Sequence, residues 1–320
     1  MEVSALRTVA DGVEMVDTAM AGQRELNAVF VLTGPEPSLI EAAPGADGPI
    51  VTGALSRLGI GPDDLAHIVV THIHLDHAGG AGALLERYPS ATVWVHERGA
   101  PHLVDPTRLL ASTARTYGEA RMRSLYGETV PCDADRVRTV AGGDAIAIGG
   151  GRSLAVIHTP GHASHHVALH DDVTGVMFTG EAIGTYLPWA STFRPALPPP
   201  EVDLEGLRTS VAGMRARRPT ALLTSHFGPV PDVEQAFDEA LATAGRWSDA
   251  VRERLDRVPD ADDDTLTEDV REVAARELAD QGLALEDVLD RYDAIGSIRM
   301  NAQGLGRYWR KRREAAAQES

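Results

Sequence analysis

The sequence has few of the residues that mark disulfide-bonded or membrane-spanning proteins. Cys132 is its only cysteine, so no disulfide can form within the chain and no cysteine cluster can hold a metal. Lys311 is the only lysine, and aromatic residues make up only 5% of the chain. No apolar run approaches the roughly 20 residues that a helix needs to cross a bilayer. We therefore expect no membrane association and no disulfide scaffold.

Basic residues are also outnumbered: the chain has 47 acidic and 30 basic side chains, and its formal net charge is −17. An acidic surface repels phosphate backbones, so a nucleic-acid partner is disfavoured. The segment from Met1 to Ser4 has no basic stretch leading into an apolar one, and this predicts no secretory signal. We expect a cytoplasmic protein that acts on a small molecule, and the sequence leaves a homodimer open.

The character of the sequence changes near residue 231. Before it, short apolar runs that end in glycine and proline predict strands with helices between them. Residues 98–128 are rich in arginine and alanine and predict inserted helices, whereas the prolines of 185–200 predict an irregular loop. Beyond Pro231 only charged, helical patterns remain. We predict a domain over 1–231 with a sheet-on-sheet core, and a helical region over 232–320.

The densest group of candidate metal ligands directly follows a predicted strand over 66–70. His72, His74, Asp76 and His77 fall within six residues. Imidazole and carboxylate groups are the usual ligands of catalytic zinc. Four such groups on one tight loop would be costly to bury without partners, and a pair of metal ions would satisfy all of them. The alternative is a surface loop that happens to be rich in histidine.

Four blocks in this order resemble the signature of the metallo-β-lactamase superfamily. They are His-x-His-x-Asp-His over 72–77 followed by Ala-Gly-Gly, Thr-Pro-Gly-His over 159–162, Phe-Thr-Gly-Glu over 178–181, and Ser-His-Phe-Gly over 225–228. The resemblance covers about residues 10–230. It implies an αββα sandwich of two mixed sheets flanked by helices, here with a C-terminal helical appendage.

The resemblance also implies two divalent metal ions at the edge between the sheets, zinc in the first place, with iron or manganese as alternatives. Matched by position, three histidines would hold one ion, an aspartate and two histidines would hold the other, and a glutamate would bridge them. These residues are His72, His74 and His162, then Asp76, His77 and His226, and finally Glu181.

Two carboxylates depart from the family's pattern. Glu181 stands where the family usually has aspartate, and its extra methylene leaves open whether it bridges two ions, binds one, or is a surface acid beside a mononuclear site. Glu41 stands where relatives often carry an aspartate near the site, and it either supports the ligands or is merely structural. His166 resembles a supporting histidine of glyoxalase II-like members, whereas we expect His165 to be exposed.

The resemblance implies a hydrolase in which a metal-bound hydroxide attacks a carbonyl, with Asp76 as both ligand and hydrogen-bond partner of the nucleophile. The segment 301–310 resembles the tail of glyoxalase II-like members, which favours thioesters, esters and lactones over β-lactams. Three aromatic residues follow Glu181 and predict an apolar pocket wall, with ordinary loop packing as the alternative. They are Tyr186, Trp189 and Phe193.

Residues 98–128 and the C-terminal helices could form a lid, in which Tyr292, Met300 and Asn301 are candidate residues. A nuclease of the same fold is disfavoured by the acidic charge. A flavodiiron-type oxidoreductase is disfavoured because it usually has glutamate in place of His74 and needs a flavin domain. Two alternatives stay open: a sulfur dioxygenase with mononuclear iron, and a non-catalytic metal-binding protein.

Overall fold

The computed structural model describes residues 6–318, so the segment from Met1 to Ser4 lies outside the described residues. Within the described part, no helix combines the length and the apolar character that a bilayer span requires. The strands are β1 (Leu6–Ala10), β2 (Val13–Asp17), β3 (Ala28–Leu32), β4 (Ser38–Ile40), β5 (His67–Val69), β6 (Thr92–His96), β7 (Val137–Val140), β8 (Ala145–Ala147), β9 (Ser153–His158), β10 (Val167–Asp171), β11 (Val176–Gly180), β12 (Thr185–Leu187), β13 (Thr192–Arg194) and β14 (Ala221–Thr224). The helices are α1 (Gly48–Arg57), α2 (Leu75–Ala78), α3 (Ala81–Arg87), α4 (Ala100–Val104), α5 (Thr107–Tyr117), α6 (Glu119–Tyr126), α7 (Leu204–Ala216), α8 (Val233–Arg257), α9 (Asp263–Asp280), α10 (Leu285–Tyr292) and α11 (Ile298–Gln318).

Two large mixed sheets form the centre of the molecule. The first holds β1 to β7 in sequence order, antiparallel as far as β4 and parallel from β4 to β7. The second has the order β14-β11-β10-β9-β8, and only its β11–β14 pair is parallel. Parallel neighbours need crossover connections, and here α1, α3 and α7 lie within them.

The period-two alternation of the strands explains why the sheets stack. On β3, Phe30 and Leu32 enter the core between the sheets, whereas Val29 and Val31 face the helices on the other side. Phe30 meets Phe178 of the second sheet with ring centroids 5.4 Å apart. The outer face of the first sheet is covered by α1 and α3, and that of the second by α7 and the C-terminal helices. Both faces of the central strands are therefore buried. The predicted αββα architecture is confirmed.

The C-terminal helices α8 to α11 share one apolar cluster with the second sheet and α7. In this cluster Val211 and Leu222 pack with Phe237 and Trp247, which lie beyond residue 231. The helical character predicted for residues after 231 is confirmed. The division into two domains at that point stays a prediction, because a common core joins the two sides.

One part of the predicted organisation is wrong. Residues 185–200 are not wholly irregular, because β12 and β13 pair as an antiparallel hairpin in which Tyr186 lies opposite Phe193. Their β-branched and aromatic side chains favour strands. The prolines lie outside the two short strands, at Pro188 and from Pro195 onwards, where no ladder hydrogen bond is required of them.

Candidate metal centre

The candidate ligands lie together because each follows a strand that ends at the same edge of the sandwich. His72 follows β5, His162 follows β9, Glu181 follows β11 and His226 follows β14. Connections after these strands leave the core at one end, so residues distant in sequence meet there. The structure brings together all seven side chains that the sequence predicted as ligands.

The loop after β5 is held in shape by a short helix and by contacts with the loop after β4. His74 directly precedes α2, and Asp76 and His77 lie in its single turn. The carbonyl of His77 accepts a hydrogen bond from the Ala42 amide at 2.6 Å. Gly80 allows this close approach, since a Cβ there would lie 2.5 Å from the Ala42 carbonyl oxygen.

Three histidines form the first group of converging donors. His74 Nδ1 lies 3.1 Å from His72 Nε2 and 2.9 Å from His162 Nε2. Ligands at the apices of a tetrahedral zinc sphere lie about 3.3 Å apart, as follows from bond lengths of roughly 2.0–2.1 Å. The spacing of these nitrogens is therefore close to that of ligands around one ion.

Asp76, His77 and His226 form the second group. His226 Nε2 lies 3.1 Å from His77 Nε2 and 3.3 Å from Asp76 Oδ2. Asp76 Oδ2 lies 3.5 Å from His77 Nε2. All three side chains are buried. Two nitrogens and one carboxylate oxygen thus face a common point.

Glu181 lies between the two groups. Its Oε2 is 3.0 Å from His162 Nε2 and 3.3 Å from His72 Nε2 on one side, and 3.5 Å from His77 Nε2 on the other. The glutamate side chain is therefore long enough to reach both groups with one oxygen. It is also 7% exposed, so it is not a surface acid.

The hydrogen-bond partners of the second group leave lone pairs at its centre. A carbonyl oxygen only accepts, so His226 Nδ1, 2.6 Å from the Leu26 carbonyl, carries a proton. His77 Nδ1 likewise donates to Glu41 Oε1 at 3.1 Å. In the neutral rings both Nε2 atoms then present lone pairs to each other and to the carboxylate of Asp76. A cation satisfies such a set, so these residues fit a metal ion.

The same reasoning applies to the first group. His162 Nδ1 donates to the Ala196 carbonyl at 2.9 Å. Thr71 gives its hydroxyl proton to Glu41, so His72 Nδ1 donates to that hydroxyl oxygen at 3.0 Å. The Nε2 atoms of His72 and His162 are left as acceptors, and both lie close to His74 Nδ1. The donor set, nitrogen and carboxylate oxygen without sulfur, fits zinc and also suits iron or manganese.

Glu41 is fully buried and holds several parts of the site at once. Its Oε1 accepts from the hydroxyls of Thr71 at 2.6 Å and Ser225 at 2.9 Å as well as from His77. Its Oε2 accepts from the Thr71 amide at 3.1 Å. Glu41 therefore connects the loop after β5 with the loop after β14 and orients the His77 ring.

His166 supports Glu181 through the backbone. Its Nε2 accepts from the Glu181 amide at 3.1 Å, so its Nδ1 donates to the Thr159 hydroxyl at 2.7 Å. The preceding residue, Gly180, has φ +52°, and a Cβ there would lie 2.6 Å from His166 Nε2. Glycine at this position lets the chain turn sharply enough to place Glu181 between the two groups of donors.

The electrostatics of the site are those of an electron-rich pocket. Burial lowers the pKa of His72 well below its ordinary value, and the neighbouring His77 lowers it further. Burial also opposes a charge on His77, yet the carboxylates of Asp76 and Glu41 raise its pKa well above the usual range. Burial would raise the pKa of Glu181, but His162 holds it well below its ordinary value. The carboxylates are therefore favoured as anions, and the pocket attracts a cation.

A cavity of about 390 Å³ opens directly onto these residues. Its floor includes His74, Asp76, His162 and Glu181. Its walls come from α5, from the loop over 196–201 and from the segment over 295–301. A cavity of this size suits a small organic molecule.

The structure corrects the predicted pocket wall. Tyr186, Trp189 and Phe193 do not line this cavity but pack in the apolar cluster of the C-terminal helices. The hairpin turns them away from the site, with Tyr186 and Phe193 in ring contact at 5.2 Å. Arg291 lies over the Trp189 ring at 4.9 Å from its centroid.

Four further candidates have mixed outcomes. Met300 and Asn301 line the cavity, as predicted for a lid. Tyr292 does not, because it is buried beside Arg194, whose guanidinium donates to the Tyr292 carbonyl. The expectation that His165 is exposed is wrong: it is 8% exposed, lines the cavity and stacks on His72 at 6.2 Å between centroids.

Sequence reasoning missed residues that fix the ligands or line the cavity. Thr71, Thr159 and Ser225 hold the supporting side chains through their hydroxyls. Each directly adjoins a recognised block or lies within it, and that adjacency was the available signal. The cavity residues Arg108 and Tyr117 of α5 carried no comparable signal, because lining a distant cavity depends on how the inserted helices fold back.

Comparisons with known proteins agree with this geometry. The model of the metallo-beta-lactamase superfamily matches residues 10–226. A metallo-beta-lactamase fold-containing protein of Sulfurisphaera tokodaii is 36% identical over 129 residues, which are 39% of this chain and 47% of that protein. A hydroxyacylglutathione hydrolase of Aeromonas salmonicida is 31% identical over 140 residues, which are 44% of this chain and 40% of that enzyme. The chain thus spans less than half the length of these two relatives.

A solved structure extends the likeness beyond the ligand blocks. The crystal structure of an archaeal metallo-beta-lactamase superfamily protein from Sulfolobus tokodaii matches with a TM-score of 0.60 and 26% identity. The match covers 73% of this chain and 86% of that one. Together with the family match over 10–226, it places the sandwich and the ligand loops in one known fold. The chain belongs to the metallo-β-lactamase superfamily.

Proposed function

We propose that this protein is a metal-dependent hydrolase that cleaves a thioester, ester or lactone carbonyl. The observation that carries the proposal is the pair of donor groups that meet at Glu181 on the floor of a cavity. The superfamily and the metal-binding clusters support hydrolysis in general. Relatives that are hydroxyacylglutathione hydrolases support the thioester class in particular.

Seven side chains would hold two divalent ions, in our proposal zinc, with iron or manganese as alternatives. His72, His74 and His162 would hold one ion, Asp76, His77 and His226 the other, and Glu181 would bridge them. When bound, such ions lower the pKa of a coordinated water and polarise the substrate carbonyl.

The chain's own residues supply position and proton handling. Asp76 lines the cavity, and we assign to its carboxylate the hydrogen bond that orients the attacking water. Glu41 fixes the His77 ring through Nδ1, and His166 fixes the Glu181 backbone. The residues over 295–301 and α5 enclose the cavity and limit the entry of bulk water.

The test is hydrolysis of a panel of thioesters, esters, lactones and β-lactams by the metal-loaded protein and by the variants Asp76→Asn and His72→Ala. We expect turnover of thioesters or esters, and a loss of at least about 100-fold in kcat in both variants. His72→Ala should also lose bound metal. Release of oxidised sulfur products with consumption of oxygen would instead identify the sulfur dioxygenase.

We further propose a cytoplasmic protein that acts on a small molecule and binds no nucleic acid. The charge of −17 supports the last point, since it repels phosphate backbones. A homodimer stays open in this proposal. Equilibrium sedimentation tests for the homodimer, and a binding assay with labelled duplex DNA tests whether the protein binds nucleic acid.

A further inference from the structure

The wall of the cavity formed by α5 carries positive charge. Arg108 and Arg115 both line the cavity, and Ser112 lines it between them. They are seven residues apart, which is close to two helical turns, so their side chains leave the same face of the helix about 10 Å apart. α5 contains no acidic residue between Thr107 and Tyr117. One wall of the site is therefore cationic along its length.

This charge contrasts with the rest of the molecule. The insertion over 98–128, from which α5 comes, has five arginines and three carboxylates, whereas the whole chain has a net charge of −17. The segment thus has a net positive charge in an otherwise acidic protein. Its helix α5 lies over the candidate metal centre, so part of this charge faces the cavity.

The two arginines also lack protein partners. Among the described residues, neither Arg108 nor Arg115 makes a hydrogen bond or an ion pair that would neutralise it. Two arginines of the C-terminal helices are paired by contrast: Arg246 pairs with Glu277 at 2.6 Å, and Arg254 pairs with Asp269 at 2.7 Å. The guanidinium groups on the cavity wall are thus available to a ligand, and guanidinium binds carboxylate and phosphate oxygens in bidentate geometry.

The remainder of the wall mixes polar side chains, including the carboxylate of Glu201, with an apolar stretch. Leu109 and Tyr117 of α5 line the cavity together with Ile295 and Met300 from the C-terminal side. The hydroxyl of Tyr117 contacts Met300 Sδ at 3.4 Å, which closes the cavity between the two segments. A molecule that fits this cavity therefore has an apolar body beside a cationic wall.

We propose that the substrate carries an anionic group, a carboxylate or a phosphate, away from its reacting carbonyl, and that Arg108 and Arg115 bind that group. This inference rests on the proposed function, because it names the substrate class of the same site. The apolar body lies against Leu109, Ile295 and Met300. The scissile carbonyl then points to the floor formed by Asp76 and Glu181.

Matched substrate pairs test the proposal in the metal-loaded enzyme. One pair is the butyryl thioester of 3-mercaptopropionate against that of N-acetylcysteamine, which places the anion on the thiol side. The other is 4-nitrophenyl hemiglutarate against 4-nitrophenyl pentanoate, which places it on the acyl side. In at least one pair we expect kcat/KM to favour the anion by about tenfold or more, mainly through KM. The preference should shrink when salt is raised from 0.05 to 0.5 M.

The double variant Arg108→Gln with Arg115→Gln should reduce the ratio of the two kcat/KM values to near one. The matched control is Arg121→Gln with Arg123→Gln on α6, which removes the same charge from exposed positions that do not line the cavity. It should keep the wild-type ratio. No preference in either pair, or an equal loss of preference in the control, would overturn the proposal.

A measurement of ligand binding that needs no turnover tests the role of the arginines separately from the proposed hydrolysis. Calorimetry of the metal-loaded protein with 4-phenylbutyrate and with its neutral twin, 4-phenylbutyramide, requires no hydrolysis. We expect the carboxylate to bind at least about tenfold more tightly, and the double variant to lose most of that difference. A preference that survives in the double variant would show that the metal ions, and not the arginines, hold the anion, and the proposal would be wrong.

Discussion

Several side chains in the candidate site contact more than one partner and so hold the ligand loops together. Glu41 accepts hydrogen bonds from Thr71, His77 and Ser225, so one buried carboxylate joins two loops that carry ligands. Glu181 faces donors of both groups. Removing such a group leaves several partners unsatisfied, which costs more than one ordinary hydrogen bond.

Glu181→Asp shortens the carboxylate that lies between the two groups of donors. The Glu181 backbone is anchored by the hydrogen bond that its amide donates to His166 Nε2, so the shorter side chain cannot keep its oxygen near both His162 and His77. We expect the metal content to fall from about two ions per chain towards one, and kcat/KM to fall about 10- to 100-fold. Metal analysis and thioester hydrolysis measure both. The exposed Glu119→Asp is the control, and equal metal content in both variants would refute the bridging role.

Asp47 allows a prediction about pH that is independent of the metal ligands. Burial raises its pKa from 3.8 to about 6, and Asp17 adds to the rise. Its Oδ2 is buried without a hydrogen-bond partner among the described residues. A raised pKa means that the ionised group destabilises the fold, so stability is lost as pH rises from 3.8 through about 6.

Asp47→Asn should therefore stabilise the protein at pH 8 by about 1–2 kcal/mol, once solvent screening is allowed for. At pH 4.5 the gain should be much smaller. Urea unfolding of both proteins at the two pH values measures it. A gain of equal size at both would show that the charge of Asp47 is not its cause.

The ligand residues could be predicted from the sequence because the chemistry requires those residue types at short, fixed spacings. His72, His74, Asp76 and His77 are recognisable for that reason. The hydroxyls of Thr71 and Ser225 were not predicted, because a threonine or serine beside a ligand has many ordinary roles and only its three-dimensional partners reveal this one.

At the scale of elements, the C-terminal helix α11 packs directly against a loop of the site. Gly304 lies so close to the Leu197 carbonyl oxygen that a Cβ would overlap it. Asn301 accepts a hydrogen bond from the Leu197 amide at 2.6 Å. The neighbouring Ala196 carbonyl accepts from His162. The position of α11 is thus linked, through one loop, to a candidate metal ligand.

Gly304→Ala should push that loop away from α11. We expect a loss of about 1–3 kcal/mol in the free energy of unfolding, and a lower kcat/KM because His162 loses its fixed carbonyl partner. Gly245→Ala on α8 is the matched control, since a Cβ there meets nothing within 4 Å. It should stabilise by about 0.5–1 kcal/mol. Equal effects of the two changes on unfolding would contradict the close packing.

Elements were predictable where the hydrophobic period was clear and a glycine or proline ended it. The strands around the ligand blocks meet both conditions. The β12–β13 hairpin was missed because its strands have three residues each and stand among prolines. The pocket wall was misassigned for a related reason: nearness in sequence to Glu181 placed the aromatic residues beside the site, but the hairpin directs them into the core.

For the whole molecule, the shared apolar core decides how the chain unfolds. Buried residues on both sides of residue 231 belong to one cluster. We expect one cooperative thermal transition, with the same midpoint by far-ultraviolet circular dichroism and by tryptophan fluorescence. Two separated transitions would mean that residues 232–320 form an independent domain.

We propose that two metal ions at the seven converging side chains make this protein a hydrolase. The most direct measurement is a titration of zinc into the chelated protein, with bound metal and thioester or ester hydrolysis followed together. We expect negligible turnover without metal and a rise in activity that follows occupancy up to about two ions per chain. Full hydrolytic activity in the metal-free protein would contradict it.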